Sequence, residues 1–119
     1  MSNLKNRIRS FKYAFQGIRV LFRGTPNAWV HFALALGAIL LGVFLGVSRV
    51  EWIALTIVIG LVFAMEAINT ALETLADYAC RNEIHPAIRN AKDLAAAGVL
   101  IVAMVAVVVG FLIFIPKIF

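Results

Sequence analysis

Charged residues and cysteine are both scarce in this chain. Only 14% of its 119 residues are Asp, Glu, Lys or Arg, whereas 63% are hydrophobic and the mean hydropathy is +0.97. A soluble domain of this length has too little interior to hide so much apolar surface. The composition therefore predicts an integral membrane protein of one domain, residues 1–119. Cys80 is the single cysteine, which excludes an intramolecular disulfide and a cysteine-based zinc site within one chain.

Several familiar motifs are also missing from the sequence. The first apolar stretch begins too late for a secretory signal peptide and lacks a small-residue cleavage pattern. There is no Gly-x-x-x-x-Gly-Lys-Ser/Thr loop and no soluble-kinase motif, so a phosphate-transferring enzyme with this sequence must be built differently. No internal repeat is present, and the chain is too short for the paired inverted repeats of many transporters.

Three apolar segments are each long enough to cross about 30 Å of hydrocarbon. The predicted membrane helices are residues 28–47, 52–78 and 93–115. A Gly-Thr-Pro-Asn break at 24–27 precedes the first, a polar turn at 48–51 follows it, and a polar loop at 81–90 precedes the last. His31 lies near the start of the first segment, where we expect an ordinary interfacial histidine. The predicted fold class is an all-α integral membrane protein.

Residues 1–24 combine an apolar stripe with positive charge. Apolar side chains recur three and four residues apart from Leu4 to Phe22, which predicts an amphipathic helix lying on the membrane surface. The cations of this helix are Lys5, Arg7, Arg9, Lys12, Arg19 and Arg23. They either anchor the helix to lipid headgroups or hold a polyphosphate. The net charge of +5 indicates headgroups or a nucleotide as partners, not nucleic acid.

Five of the six acidic residues lie between positions 66 and 93. If the stretch is helical, Glu66, Asn69, Glu73 and Asp77 point within roughly 80° of one another, because each residue turns a helix by about 100°. Such a row of oxygen ligands suits Mg²⁺, which prefers one or two carboxylates plus substrate phosphates. Alternatively, these side chains hydrogen-bond neighbouring helices, or they line the pathway of a small cation channel or proton-linked transporter.

The distribution of cations predicts the orientation of the spans. Positive charge is concentrated in the N-terminal segment and in the loop at 81–92, so the positive-inside rule places both in the cytoplasm. The acidic row then lies toward the cytoplasmic end of the second span, where ATP is present. Phosphoryl transfer requires metal-held phosphates, a cation at the transferring group and a group that orients the nucleophile. The acidic row and Lys92 can supply all three.

The same stretch carries a specific pattern. It reads Glu66-x-x-Asn69-Thr70-Ala71-Leu72-Glu73-x-x-x-Asp77, then His85-x-x-x-x-x-Ala91-Lys92-Asp93-x-Ala95-Ala96-Ala97, with Tyr13-Ala14-x-x-Gly17 in the first helix. This pattern resembles the prokaryotic diacylglycerol kinase family, which includes undecaprenol kinases, and the resemblance covers nearly the whole chain. It implies an amphipathic surface helix plus three transmembrane helices, assembled as a homotrimer in the bacterial inner membrane with active sites at subunit interfaces.

The resemblance implies transfer of the ATP γ-phosphate, with Mg²⁺, to the hydroxyl of a membrane lipid. Diacylglycerol and a polyprenol such as undecaprenol both remain open as the substrate, and the Asn-Thr-Ala run and the His-Pro loop lean slightly toward undecaprenol. A cation-conducting protein is the alternative from a different class. A purely structural subunit would leave Glu66, Glu73 and Lys92 unexplained.

The resemblance also implies roles for individual residues. Glu66 matches the catalytic base and Asn69 an amide near the reacting groups and the metal. Glu73 matches a metal-ligating carboxylate, and Lys92 the cation on the transferring phosphate. The residues matched to nucleotide binding are Arg9, Lys12, Tyr13, Asp77, Lys92 and Asp93.

One position departs from the pattern of the family. Many members carry a metal-binding glutamate in the turn before the first span, and alignment through Tyr13, Gly17 and Asn27 puts Thr25 there. A threonine hydroxyl can bind Mg²⁺ only as a neutral ligand. The sequence therefore leaves open whether one metal ion or two are held, and whether a water completes the site.

Overall fold

The computed structural model describes residues 2–81, 83 and 85–119, and these residues form four α-helices. They are α1 (Ser2–Gly24), α2 (Pro26–Leu45), α3 (Arg49–Cys80) and α4 (Pro86–Ile118). The all-α prediction is confirmed. Helices α2, α3 and α4 are each long and apolar enough to cross a membrane, in agreement with the three predicted spans.

Thr25 alone separates α1 from α2. Its backbone is extended, and Pro26 follows as the first residue of α2, where the missing N–H of proline costs no helical hydrogen bond. Two contacts fix this junction. The indole N–H of Trp29 donates to the carbonyl of Phe22 over 2.7 Å, and the hydroxyl of Thr25 lies 3.2 Å from that of Thr70 on α3. The end of α1 is therefore held against both α2 and α3.

The connection between α2 and α3 is shorter than the predicted polar turn at 48–51. Helix α2 ends at Leu45 and is capped by Gly46, whose left-handed backbone (φ 66°) favours glycine. Ser48 then caps α3: its hydroxyl accepts from the N–H of Glu51, and the Glu51 carboxylate accepts from the N–H of Ser48. This reciprocal capping box satisfies two N–H groups at the helix start. Three of the four residues predicted as a turn therefore belong to α3.

The predicted loop at 81–90 is also shorter, because α4 begins at Pro86. Proline suits the first position of a helix, so Pro86 starts α4 and is not part of the connecting loop. Asp93, the first residue of the third predicted span, is consequently about two turns inside α4.

Helices α3 and α4 form the principal packed pair, with α2 lying against α3 and α1 against both α2 and α3. A compact cluster of Val47, Leu55 and Ile113 closes the end where α2 turns into α3. Elsewhere much apolar surface points away from the chain. Only 6% of the most apolar part of α4 is buried by the remaining described residues. That surface is suited to contact lipid or other protein chains.

Candidate active site

The continuous helix α3 carries Glu66, Asn69, Glu73 and Asp77, so the structure brings the predicted row together. The row changes character along its length. Glu66 is 2% exposed and is the one charged side chain that is buried in the described part of the chain, whereas Glu73 and Asp77 are exposed. With 32 residues, α3 is about 48 Å long and exceeds a hydrocarbon core of about 30 Å. One helix can therefore carry groups at membrane depth and groups in water.

The buried end of the row has a partner on α2. The Nε2 atom of His31 lies 3.2 Å from Oε1 of Glu66. The sequence predicts an ordinary interfacial histidine at position 31. His31 is therefore the site residue that sequence reasoning missed. A signal was available: an acidic side chain within a span needs a partner, and the first apolar segment carries no other ionisable group.

The middle of the row has the features of a site for a hard cation. The Nδ2 atom of Asn69 donates to Oε1 of Glu73 over 3.4 Å, whereas Oδ1 of Asn69 is buried and accepts no hydrogen bond from the described residues. A buried carbonyl oxygen without a donor is unfavourable unless water or an ion contacts it. The hydroxyl of Thr25 contacts that of Thr70, the residue after Asn69 in the sequence.

The side-chain oxygens of Asn69, Glu73 and Thr25 form a small set of candidate metal ligands. No group of three His, Cys, Asp or Glu side chains capable of holding a metal ion occurs within residues 2–81, 83 and 85–119. A carboxylate from Glu73, the orphaned amide oxygen of Asn69 and a hydroxyl nevertheless match the preference of Mg²⁺ for few protein ligands together with phosphate oxygens. The residues present therefore fit a magnesium ion whose other ligands are phosphate oxygens.

The exposed end of the row meets the start of α4. The Nζ atom of Lys92 donates to Oδ1 of Asp77 over 2.8 Å, and this contact joins α3 to α4. Both residues line an open cavity of about 460 Å³, as does Asp93. The other lining residues are Cys80, Glu83, His85, Ile88 and Arg89. The structure thus places three predicted site residues around one polar opening, with His85 and Arg89 as additional polar groups.

The predicted nucleotide residues on α1 lie elsewhere. Arg9, Lys12 and Tyr13 line a groove along α1 together with Lys5 and Ile8. None of these five residues lines the cavity around Asp77 and Lys92. Within one chain, the basic residues of α1 and the polar cavity between α3 and α4 are therefore separate surfaces.

Comparisons with known proteins relate this arrangement to a family. The model of the family described as prokaryotic diacylglycerol kinase matches residues 12–114. An undecaprenol kinase of Bacillus subtilis is 34% identical over 98% of this chain and 94% of its own length. A diacylglycerol kinase of Haemophilus influenzae is 33% identical over 95% of this chain and 96% of its own. A diacylglycerol kinase of Synechocystis is 32% identical over 93% of this chain and 63% of its own length.

The family match begins within α1 and ends within α4, and the relatives from Bacillus and Haemophilus align over nearly their full lengths. The chain is a lipid kinase and belongs to the prokaryotic diacylglycerol kinase family.

Proposed function

We propose that this chain, as one domain of residues 1–119, transfers the γ-phosphate of ATP to the hydroxyl of a membrane lipid and requires Mg²⁺. The observation that carries the proposal is the change in exposure along α3, from the buried Glu66 to the exposed Glu73 and Asp77. A lipid hydroxyl must be met at the membrane and ATP must enter from water. A polar row that joins both environments suits a reaction between these two substrates.

In the proposed reaction Glu66 acts as the general base. The carboxylate takes the proton of the lipid hydroxyl while the hydroxyl oxygen forms a bond to the γ-phosphorus. The bond from that phosphorus to its bridging oxygen breaks, and ADP leaves with the electron pair. Lys92, which now contacts Asp77 at the edge of the open cavity, places its positive charge on the transferring phosphoryl group. Asp77 and Asp93 are proposed to contact the nucleotide.

We assign the metal to the middle of the row. When bound, Mg²⁺ neutralises negative charge on the phosphate oxygens. The proposed ligands are Glu73, Asn69 and Thr25, and the orphaned Oδ1 atom of Asn69 supports this choice. Because Thr25 is neutral, Glu73 supplies the one charged ligand of the set, and we infer a single strongly held ion.

We further propose a homotrimer in the bacterial inner membrane, with α1 lying on the cytoplasmic surface. Two observations support sharing of sites between subunits. The basic groove of α1 shares no lining residue with the cavity around Asp77 and Lys92. Most of α4 has apolar surface that its own chain leaves exposed. In a trimer, Arg9, Lys12 and Tyr13 of one subunit can complete the nucleotide site of its neighbour.

A transfer assay tests the activity. Purified protein is incubated with γ-labelled ATP, Mg²⁺ and mixed micelles containing either diacylglycerol or undecaprenol. Label is expected in the lipid phase, with little transfer when Mg²⁺ is chelated. The relatives include both kinds of kinase at similar identity, so the ratio of kcat/KM for the two lipids identifies the substrate. A folded preparation that labels neither lipid contradicts the proposal, and lipid-free ATP hydrolysis alone does not rescue it.

A mixing experiment tests the shared sites. One inactive variant lacks the Glu73 carboxylate, and the other has Arg7, Arg9 and Lys12 neutralised. If each site combines α1 of one subunit with α3 of another, mixed trimers contain some intact sites and activity returns. Differently tagged subunits show whether the two variants exchange subunits. If they exchange and no activity returns, the sharing of sites is contradicted, while the kinase activity is not.

Ion conduction along the acidic row is not favoured. A conducting pathway requires polar groups along the spans, and every residue from Leu94 to Ile115 is apolar or glycine. Membership of a lipid kinase family also points away from a channel.

A further inference from the structure

The contact between His31 and Glu66 has no assigned role in phosphoryl transfer. His31 lies in the second turn of α2 and Glu66 lies midway along α3, so their contact crosses between two membrane helices. Glu66 is 2% exposed, and His31 is partly buried. A carboxylate at this depth is unfavourable unless a hydrogen-bond donor compensates for the water it has lost.

The chemistry of the two groups decides how the proton is placed. An ionised carboxylate can only accept hydrogen bonds, so the Nε2 atom of His31 must carry a proton and donate it to Oε1 of Glu66. None of the described residues donates to the second oxygen, Oε2. The imidazole therefore fixes one oxygen of the carboxylate, and the other has no hydrogen bond from the described residues.

We propose that His31 is a positioning residue that orients the Glu66 carboxylate for proton abstraction, an inference that rests on the proposed role of Glu66 as base. The hydroxyl proton moves to Oε2 of Glu66 as the lipid oxygen bonds to phosphorus and ADP departs with the electron pair. His31 keeps its Nε2 proton throughout and holds Oε1. Without this donor, the carboxylate loses both its orientation and a hydrogen bond that stabilises its charged form.

Two substitutions separate orientation from packing. His31→Met removes the donor and retains an apolar side chain of similar size. His31→Gln places a side-chain amide N–H close to the position of Nε2. We expect His31→Met to lower kcat roughly 10- to 100-fold, because hydrogen bonds to charged groups are worth about 1.5–3 kcal/mol, while KM for ATP stays unchanged. His31→Gln should recover most of that loss.

A matched control lies one turn further along α2. Leu34→Met introduces the same residue on a neighbouring part of the helix, at an exposed position. It is expected to retain the kcat of the wild type. The unfolding temperature of each variant in detergent shows whether the fold is intact.

The possible results divide clearly. A low kcat for His31→Met with recovery in His31→Gln supports the inference. Wild-type kcat in His31→Met, a change confined to KM for ATP, or equal losses in the Met and Gln variants overturns it. If Glu66 is not the base, the result is different, because Glu66→Gln would then retain wild-type transfer. If Glu66→Gln is inactive and His31→Met is fully active, the base assignment stands and only the role of His31 fails.

Discussion

The end of the bundle where α2 turns into α3 and the end where α3 turns into α4 carry ion pairs of nearly equal length. Lys117 contacts Glu51 over 2.9 Å at the first end, and Lys92 contacts Asp77 over 2.8 Å at the second. Their surroundings differ. Glu51 is 24% exposed and also belongs to the capping box of α3, whereas Asp77 is 67% exposed and borders an open cavity.

The apolar side chains show the same contrast. Val47, Leu55 and Ile113 are buried together at the first end, which we call the closed end. Toward the second, open end, charged groups remain accessible, and Asn69 in the middle of the row keeps an orphaned oxygen. A helix bundle needs only part of its length to hold its helices together. The open end can therefore retain polar groups that contribute little to packing but are available to ligands.

The strongest test of this contrast is Glu66→Gln. The substitution keeps the shape of the side chain but removes the proposed base. We expect a loss of kcat on the order of 10²- to 10⁴-fold, because a positioned general base contributes that much to proton transfer. Affinity for ATP should change little. Wild-type turnover in a folded preparation would remove Glu66 from the mechanism.

The two ion pairs give a matched comparison. Lys92→Met removes a cation from the open end, and we expect it to lower kcat/KM roughly 10- to 100-fold, as for loss of a charged hydrogen bond. Lys117→Met makes the same replacement at the closed end and should leave transfer nearly unchanged. Steady-state kinetics of both variants test this. Equal losses of activity would show that the two ends do not differ in the proposed way.

Substitutions at the closed end should lower the stability of the fold and leave the transfer activity unchanged. Leu55→Ala leaves a cavity in the buried cluster and is expected to lower the free energy of unfolding by about 2 kcal/mol, mainly through lost packing contacts. Specific activity at low temperature should remain close to that of the wild type. Leu40→Ala, at an exposed position, is the control for losing the same atoms. Thermal unfolding in detergent distinguishes the two variants.

A smaller effect is expected for Glu73→Gln. Replacing a charged oxygen ligand by a neutral one should raise the Mg²⁺ concentration for half-maximal activity by roughly tenfold. Excess Mg²⁺ should then restore much of the rate, which distinguishes this variant from Glu66→Gln. Titration of transfer activity with Mg²⁺ measures the change. An unaltered Mg²⁺ dependence would exclude Glu73 as a ligand.

Local patterns in the sequence predicted the helices and the composition of the row. The apolar segments identified three long helices, and the spacing from Glu66 to Asp77 placed four polar residues on one face of α3. The predicted helix boundaries were less accurate near the connections at 48–51 and 81–90. There the capping box of Ser48 and the helix-starting position of Pro86 extended α3 and α4 into segments predicted as connections.

Contacts between helices were largely beyond sequence reasoning. The family resemblance nominated Lys92 and Asp77, but it did not predict that they bond to each other. It pointed to Thr25 but not to its contact with Thr70. His31 was expected to be an ordinary residue at the membrane interface, although it meets the one buried carboxylate in the described part of the chain.

The division has a physical cause. Hydropathy and the helical period depend on residues within a few turns of one another, so the sequence by itself determined the class of protein, the number of spanning helices and the composition of their polar face. Which side chains meet across helices depends on the rotation, crossing and relative height of whole helices, and these are set by packing along their full length. Only the tertiary structure decided that Glu66 is buried, that His31 is its partner and that the cations of α1 lie apart from the cavity they are proposed to serve.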